Sequence, residues 1–408
     1  MIKLLNAILL LIGFASCNDS TTNTNNTNSE SSLQHQYSPA DTASAEPYLF
    51  TDKNGLVYLS WIQKAEGKHH LKFAVLNNEN WSQPITITSG NNWFVNWADY
   101  PMIASDGNNN LMAHILQKSA DGKFTYDVKL IASSDNGRSW SDLKILHEDG
   151  KKAEHGFVSL IPYEDHFFVS WLDGRNTVNE SSDSEAHHNG GHHGDMSLRG
   201  AVVDRKGLKT AEWQLDDRVC DCCQTTAAIT ANGPVVIYRD RSAEEIRDIS
   251  IVRFVNGNWT EPKTIYPDEW KIAGCPVNGP RSAAEGNNLV IAWFSSSNEQ
   301  PQVKVVFSDD GGANFSKPIG IAAEKNTIGR VDVLLLDETS VMVSWMEGSV
   351  IKAMKVHKDG RKELPVTIAA SSESRSSGFP QMTKSGNNII FAWTDDKEKT
   401  VKVARLSL

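Results

Sequence analysis

The sequence predicts an all-β chain folded as a β-propeller of four-stranded blades. Two observations carry that expectation. A strand pattern that is apolar on both faces recurs along the chain at intervals of about fifty to sixty residues, the range of a propeller blade. Gly, Asn and Asp turn signals precede most copies, and helical spacing is hard to find.

The copies come in order. Residues 56–61 read Leu-Val-Tyr-Leu-Ser-Trp, 111–116 Leu-Met-Ala-His-Ile-Leu and 167–171 Phe-Phe-Val-Ser-Trp. Residues 235–238 read Val-Val-Ile-Tyr, 289–293 Leu-Val-Ile-Ala-Trp, 341–345 Val-Met-Val-Ser-Trp and 389–393 Ile-Ile-Phe-Ala-Trp. One full cycle is visible between them, with strands expected over 101–105, 111–116, 126–133 and 142–146. Seven copies favour seven blades, with a six-bladed ring and a merged terminal pair as the alternative. The last unit holds only three strands before Leu408, so the ring needs a closing strand from elsewhere, and the segment before Glu46 is the candidate.

The N-terminus sets the compartment. Lys3 supplies a positive start, residues 4–14 are apolar apart from Asn6 and Gly13, and Ala15-Ser16 lead into Cys17. The run is too short and wrongly flanked for a spanning helix, and reads as a secretory signal. A cysteine directly after Phe-Ala-Ser resembles the bacterial lipobox, which implies that Cys17 is lipidated and becomes the mature N-terminus. Residues 18–45 are mostly Ser, Thr, Asn, Asp, Glu and Gln, too polar to offset the entropy of ordering. The expected organisation is therefore a signal peptide over 1–16, a lipidated cysteine and disordered tether over 17–45, and a propeller over 46–408. That places the protein in the bacterial cell envelope, facing periplasm or cell surface, with a lipid anchor as its only membrane contact.

The formal net charge is −10 and no basic run stands out. Nucleic acid is excluded as a partner, because such binding works by neutralising phosphates. The body is expected to be monomeric.

Two turns carry a family resemblance. Residues 133–140, Ser-Ser-Asp-Asn-Gly-Arg-Ser-Trp, fit Ser-x-Asp-x-Gly-x-x-Trp, and residues 308–315, Ser-Asp-Asp-Gly-Gly-Ala-Asn-Phe, fit it with Phe as the closing aromatic. Asp can satisfy backbone donors, Gly tolerates positive φ and the aromatic plugs the blade. The pattern resembles the Asp-box, or bacterial neuraminidase repeat, of the sialidase superfamily, over roughly residues 46–408. In that family the boxes join strands three and four of a blade, on the face opposite the active site.

On the other face lie the links between blades and the loops between second and third strands, and the unusual residues fall there. Every cysteine of the body, Cys220, Cys222, Cys223 and Cys275, lies in two neighbouring links. In an exported protein these could be disulfides, with three possible connectivities for four cysteines. They could also be soft thiolate ligands for copper or zinc, joined by His155 and by His187, His188, His192 and His193 of a long loop. The two readings leave a metal-binding mouth and a disulfide-stapled scaffold both open.

The resemblance also implies a glycosidase reading. Sialidases hold a substrate carboxylate with three arginines and use a Tyr nucleophile assisted by Glu, with an Asp acid/base. Arg281, Arg330 and Arg375 stand near the starts of blades five, six and seven. Asp99 fits the acid/base, and Tyr238 with Glu244 or Glu245 fits the nucleophile pair. The chain departs from the family in lacking an Arg-Ile-Pro opening and any tyrosine after Tyr266. The ligand implied by the mouth is a metal ion or a glycan.

Overall fold

The computed structural model describes residues 32–178 and 194–408. The signal, Cys17 and the histidines at 187, 188, 192 and 193 lie outside the described residues. The rest is a ring of seven antiparallel sheets, each with four main strands. No α-helix occurs among the described residues, and two short 3-10 turns cover Ser297–Glu299 and Arg375–Ser377.

The seven apolar repeats are the second strands of the seven blades: Val57–Ala65, Leu111–Lys118, His166–Asp173, Gly233–Arg239, Asn288–Ser295, Ser340–Glu347 and Asn388–Asp395. Each lies between two strands of its own sheet, and each sheet is packed between two neighbours, so both faces are apolar. The tryptophans near their ends, Trp61, Trp171, Trp293, Trp345 and Trp393, are all buried.

The ring closes with a strand from the N-terminal side. Leu33–Gln36 forms the outer edge of the seventh blade, pairing antiparallel with Thr400–Ser407 in the register Leu33↔Leu406 and His35↔Ala404. His35 stands edge-on to Trp393 with ring centroids 5.9 Å apart. The first strand of blade one is already under way at Ser44, whose Oγ accepts a hydrogen bond from the Val401 amide at 3.0 Å. The propeller thus begins within the segment expected to be tether: residues 33–36 are ordered by pairing with the last strand.

The two aspartate turns are built alike. In the first, Asp135 accepts hydrogen bonds from Ser133 Oγ (2.8 Å) and the Ser139 amide (2.9 Å), and Ser133 Oγ accepts from the Gly137 amide (2.8 Å). Asp310, Ser308, Asn314 and Gly312 repeat this arrangement. Gly137 has φ 81°, and a Cβ there would stand 2.5 Å from Phe73, so only glycine lets the turn dock on the preceding blade. The Asn136 amide donates to the Asn109 carbonyl at 3.0 Å, so these turns share a face with the turns between first and second strands. The links between blades occupy the opposite face.

First strands line the axis. Below its middle, residues including Phe50, Ile161, Ala228, Ala283, Leu334 and Met382 bound a cavity of about 430 Å³. Arg281 closes its upper end. Its guanidinium donates to Asp332 (3.0 Å), to the Tyr100 hydroxyl (3.0 Å) and to Gln381 Oε1 (3.2 Å), tying together blades five, six, two and seven.

Candidate functional site

The link from blade three to blade four is pinned before it reaches its cysteines. The Val219 amide donates to the Met196 carbonyl (2.8 Å) and the Cys220 amide to the Arg239 carbonyl (3.0 Å). Beyond them, Gln224 clamps three blades, donating to the Ala98 carbonyl (2.6 Å) and accepting from the Gly279 amide (3.0 Å). Held at both ends, the Cys-Asp-Cys-Cys segment curls so that its thiols face one another.

Cys220 Sγ lies 3.2 Å from Cys223 Sγ and 3.9 Å from Cys222 Sγ, and the three sulfurs fit within 4.8 Å of one another. Cys275, from the next link, stands beside Cys222. All four are free thiols. The Arg247 guanidinium donates to Cys220 Sγ at 3.3 Å. Burial opposes ionisation of Cys220, but the Cys222 and Cys223 thiols and Arg247 outweigh it and hold its thiol well below the usual range. Hydrogen bonding to Cys220 and to its other sulfur neighbours pushes Cys222 up, and burial pushes Cys223 up. The Cys222 thiol holds Cys275 low against a smaller burial effect. Each of the two sulfurs held low thus has a neighbouring thiol that is pushed up, and the three converging sulfurs are a donor set for a soft cation.

Beside this cluster a tyrosine joins a buried carboxyl, Asp99, to a half-buried one, Glu154. Tyr126 Oη lies 2.8 Å from Glu154 Oε1 and 3.2 Å from Asp99 Oδ2, and Asp99 Oδ1 accepts the Phe157 amide at 2.8 Å. Burial pushes the Asp99 carboxyl up to about 7 and the Glu154 carboxyl up to about 8, more than their hydrogen bonds pull them down. Phe94 stacks on Tyr126 with centroids 4.0 Å apart. Gly156 is required here, since a Cβ would meet Asp99 Oδ2 at 2.1 Å. A single hydroxyl proton cannot serve two carboxylates at once, so the arrangement is complete when one carboxyl keeps its own proton.

No family model matches the chain, and no curated protein matches it in sequence. Solved structures do. The polysaccharide lyase Uly1 aligns over 89% of both chains at TM-score 0.51 and 8% identity. A polysaccharide lyase of the PL25 family, ulvan lyase, aligns at TM-score 0.49 and 14% identity over 77% of this chain and 79% of its own. NanB in complex with optactamide aligns at TM-score 0.48 and 9% identity over 92% of this chain and 94% of its own. The likeness is one of fold.

Several expected site residues sit elsewhere. His155 is not placed among the thiols: its Nε2 lies 2.9 Å from Asp149 and its Nδ1 donates to the Tyr126 carbonyl at 3.2 Å. It stacks on His147 with centroids 3.5 Å apart, in a seam between blades two and three that also holds Asp127 and Asp173. Neighbouring residues on a strand point to opposite sides, so Glu154 turns to the mouth and His155 away from it. Tyr238 is buried and gives its hydroxyl to Asp216 at 2.5 Å, not to Glu244 or Glu245. Glu244 accepts from Ser242, and Glu245 pairs with Arg241 and Arg247.

Two of the three arginines are committed to partners within the protein. Arg281 does hold a carboxylate, but it is the protein's own Asp332. Arg330 is buried and spends its guanidinium on Ser377 Oγ and on the carbonyls of Glu373, Ser374 and Gly378. It also lies 5.1 Å over the Trp97 ring, which stacks on Phe379. Arg375 is exposed on its 3-10 turn. Asp99 is the one expected catalytic residue with a partner suited to acid/base chemistry. Tyr126 was not expected in the site, because it opens a third strand and reads in the sequence as another core aromatic.

Proposed function

We propose that the protein is an exported propeller, lipid-anchored at Cys17, whose mouth binds a soft metal ion through Cys220, Cys222 and Cys223 with Cys275 alongside. The convergence of the three sulfurs carries the reading. Sulfur-only donors select Cu(I) or zinc over hard cations. Copper(I) suits this set better. Of the triad only Cys220 is held low, Arg247 adds positive charge beside it, and a monovalent ion needs fewer thiolates to neutralise it than Zn²⁺ does. The fold and the two aspartate turns support membership of the sialidase-like, Asp-box propellers for the scaffold.

The experiment is stoichiometric loading of the reduced chain with Cu(I) and, separately, Zn²⁺. One Cu(I) per chain is expected, with affinity falling at least about a hundredfold in Cys220→Ser. A wild-type chain that takes up neither ion contradicts the reading.

A second reading, glycan cleavage as a hydrolase or lyase, rests on Asp99, Tyr126 and Glu154. Two carboxyls tuned toward neutrality and bridged by a tyrosine form a plausible acid/base unit, and Glu154 is the least buried of the three. If it is right, Asp99→Asn lowers turnover of a fluorogenic sialoside or of a uronate-containing polysaccharide by about a hundredfold. Wild-type inactivity on both substrates counts against it.

A further inference from the structure

The four sulfurs differ in access. Cys220 and Cys223 are buried and Cys222 half-buried, whereas Cys275 is exposed. Cys275 also comes from a different link, between blades four and five, where residues 273–280 hold no regular strand. Its sulfur partner is Cys222, the most accessible of the triad.

We propose that Cys275 is the exchange ligand of the thiolate site, passing Cu(I) between the buried triad and a sulfur-donor carrier. The proposal rests on the metal-binding reading above and assigns a route to it. Ligand exchange on Cu(I) between sulfurs is associative, so an incoming sulfur must bond the ion before an old bond is lost. Cys220 and Cys223 are too deeply buried for a carrier to do this. Cys275 stands beside Cys222 and is itself exposed to solvent.

The step balances without redox chemistry. A bond forms from Cu(I) to Cys275 Sγ as the bond to Cys220 breaks, and Cys220 keeps its electron pair as the thiolate beside Arg247. A carrier thiolate then bonds the ion while Cys222, Cys223 and Cys275 release it, each keeping its pair. Cys222 and Cys223 regain protons from solvent, and copper stays Cu(I) throughout. Arg247, 3.3 Å from Cys220 Sγ, donates a hydrogen bond to the departing sulfur.

The test loads the full reduced chain with one equivalent of Cu(I) and mixes it with bathocuproine disulfonate, whose Cu(I) complex is coloured. Cys275→Ser is expected to hold the same amount of Cu(I) at equilibrium but to release it at least about tenfold more slowly. Cys222→Ser, run in parallel, is expected to lose affinity. Release from Cys275→Ser at the wild-type rate overturns the proposal, as does a loss of equilibrium binding equal to that of Cys222→Ser. A wild-type chain that binds no Cu(I) overturns the metal-binding reading as well, so the two failures are distinct.

Discussion

Replacing Arg281 with alanine will lower the stability of the propeller by about 3 kcal/mol, seen as a drop in the urea midpoint at unchanged slope. The guanidinium spans the axis between Asp332, Tyr100 and Gln381, residues of three other blades. Its loss leaves Asp332, which is 3% exposed, without its cationic partner. The amides of Val333 (2.9 Å) and Met382 (2.8 Å) still donate to that carboxylate, which keeps the cost at the lower end for a broken buried pair. Arg281→Lys should recover only part of the loss, because an ammonium on a flexible stem cannot reproduce the planar three-way geometry. A change below about 1 kcal/mol would mean that the bracket is no more than a surface-grade ion pair.

The second large effect is a pH dependence. Asp99 and Glu154 have folded-state carboxyls pushed up to about 7 and about 8, against about 4 in the unfolded chain. The folded state therefore binds more protons than the unfolded state across that interval, and stability falls as pH rises through it. The contribution is most favourable below about pH 4, declines between about 4 and 8, and is flat above. Each group can add a slope of up to about 1.4 kcal/mol per pH unit where its two states differ by a full proton. Asp99→Asn and Glu154→Gln should each flatten the decline measured by denaturation at pH 5 and pH 8. A wild-type stability that is constant or rising over that range would contradict burial as the dominant influence on the pair.

Much of the scaffold was legible in the sequence, because a strand buried on both faces must be apolar throughout and seven such strands recur. The closing strand was less so. Leu33-Gln-His-Gln is an outer edge, half in solvent, and its composition matches the tether before it; pairing with Thr400–Ser407 defines it, which no local pattern reveals. In the site, the cysteine link was legible because three thiols within four residues must lie close in space. Of the expected histidines, His155 is turned away by strand parity, since it follows Glu154 and faces the blade seam. The bulge between Gly156 and Ser159, with Phe157 at φ 52°, then fits Asp99 against the strand. Arg281 is a different case. A residue type suited to a ligand's carboxylate is equally suited to an internal one, and for Arg281 only the position of Asp332 decides between them.

X-ray absorption at the copper edge of the Cu(I)-loaded, reduced full chain tests the metal-binding mouth most directly. A first shell of sulfur alone, with fewer sulfur scatterers or no bound copper in Cys220→Ser, is the expected result. A shell dominated by nitrogen or oxygen, unchanged by that substitution, would place the ion away from Cys220, Cys222 and Cys223 and contradict the thiolate site.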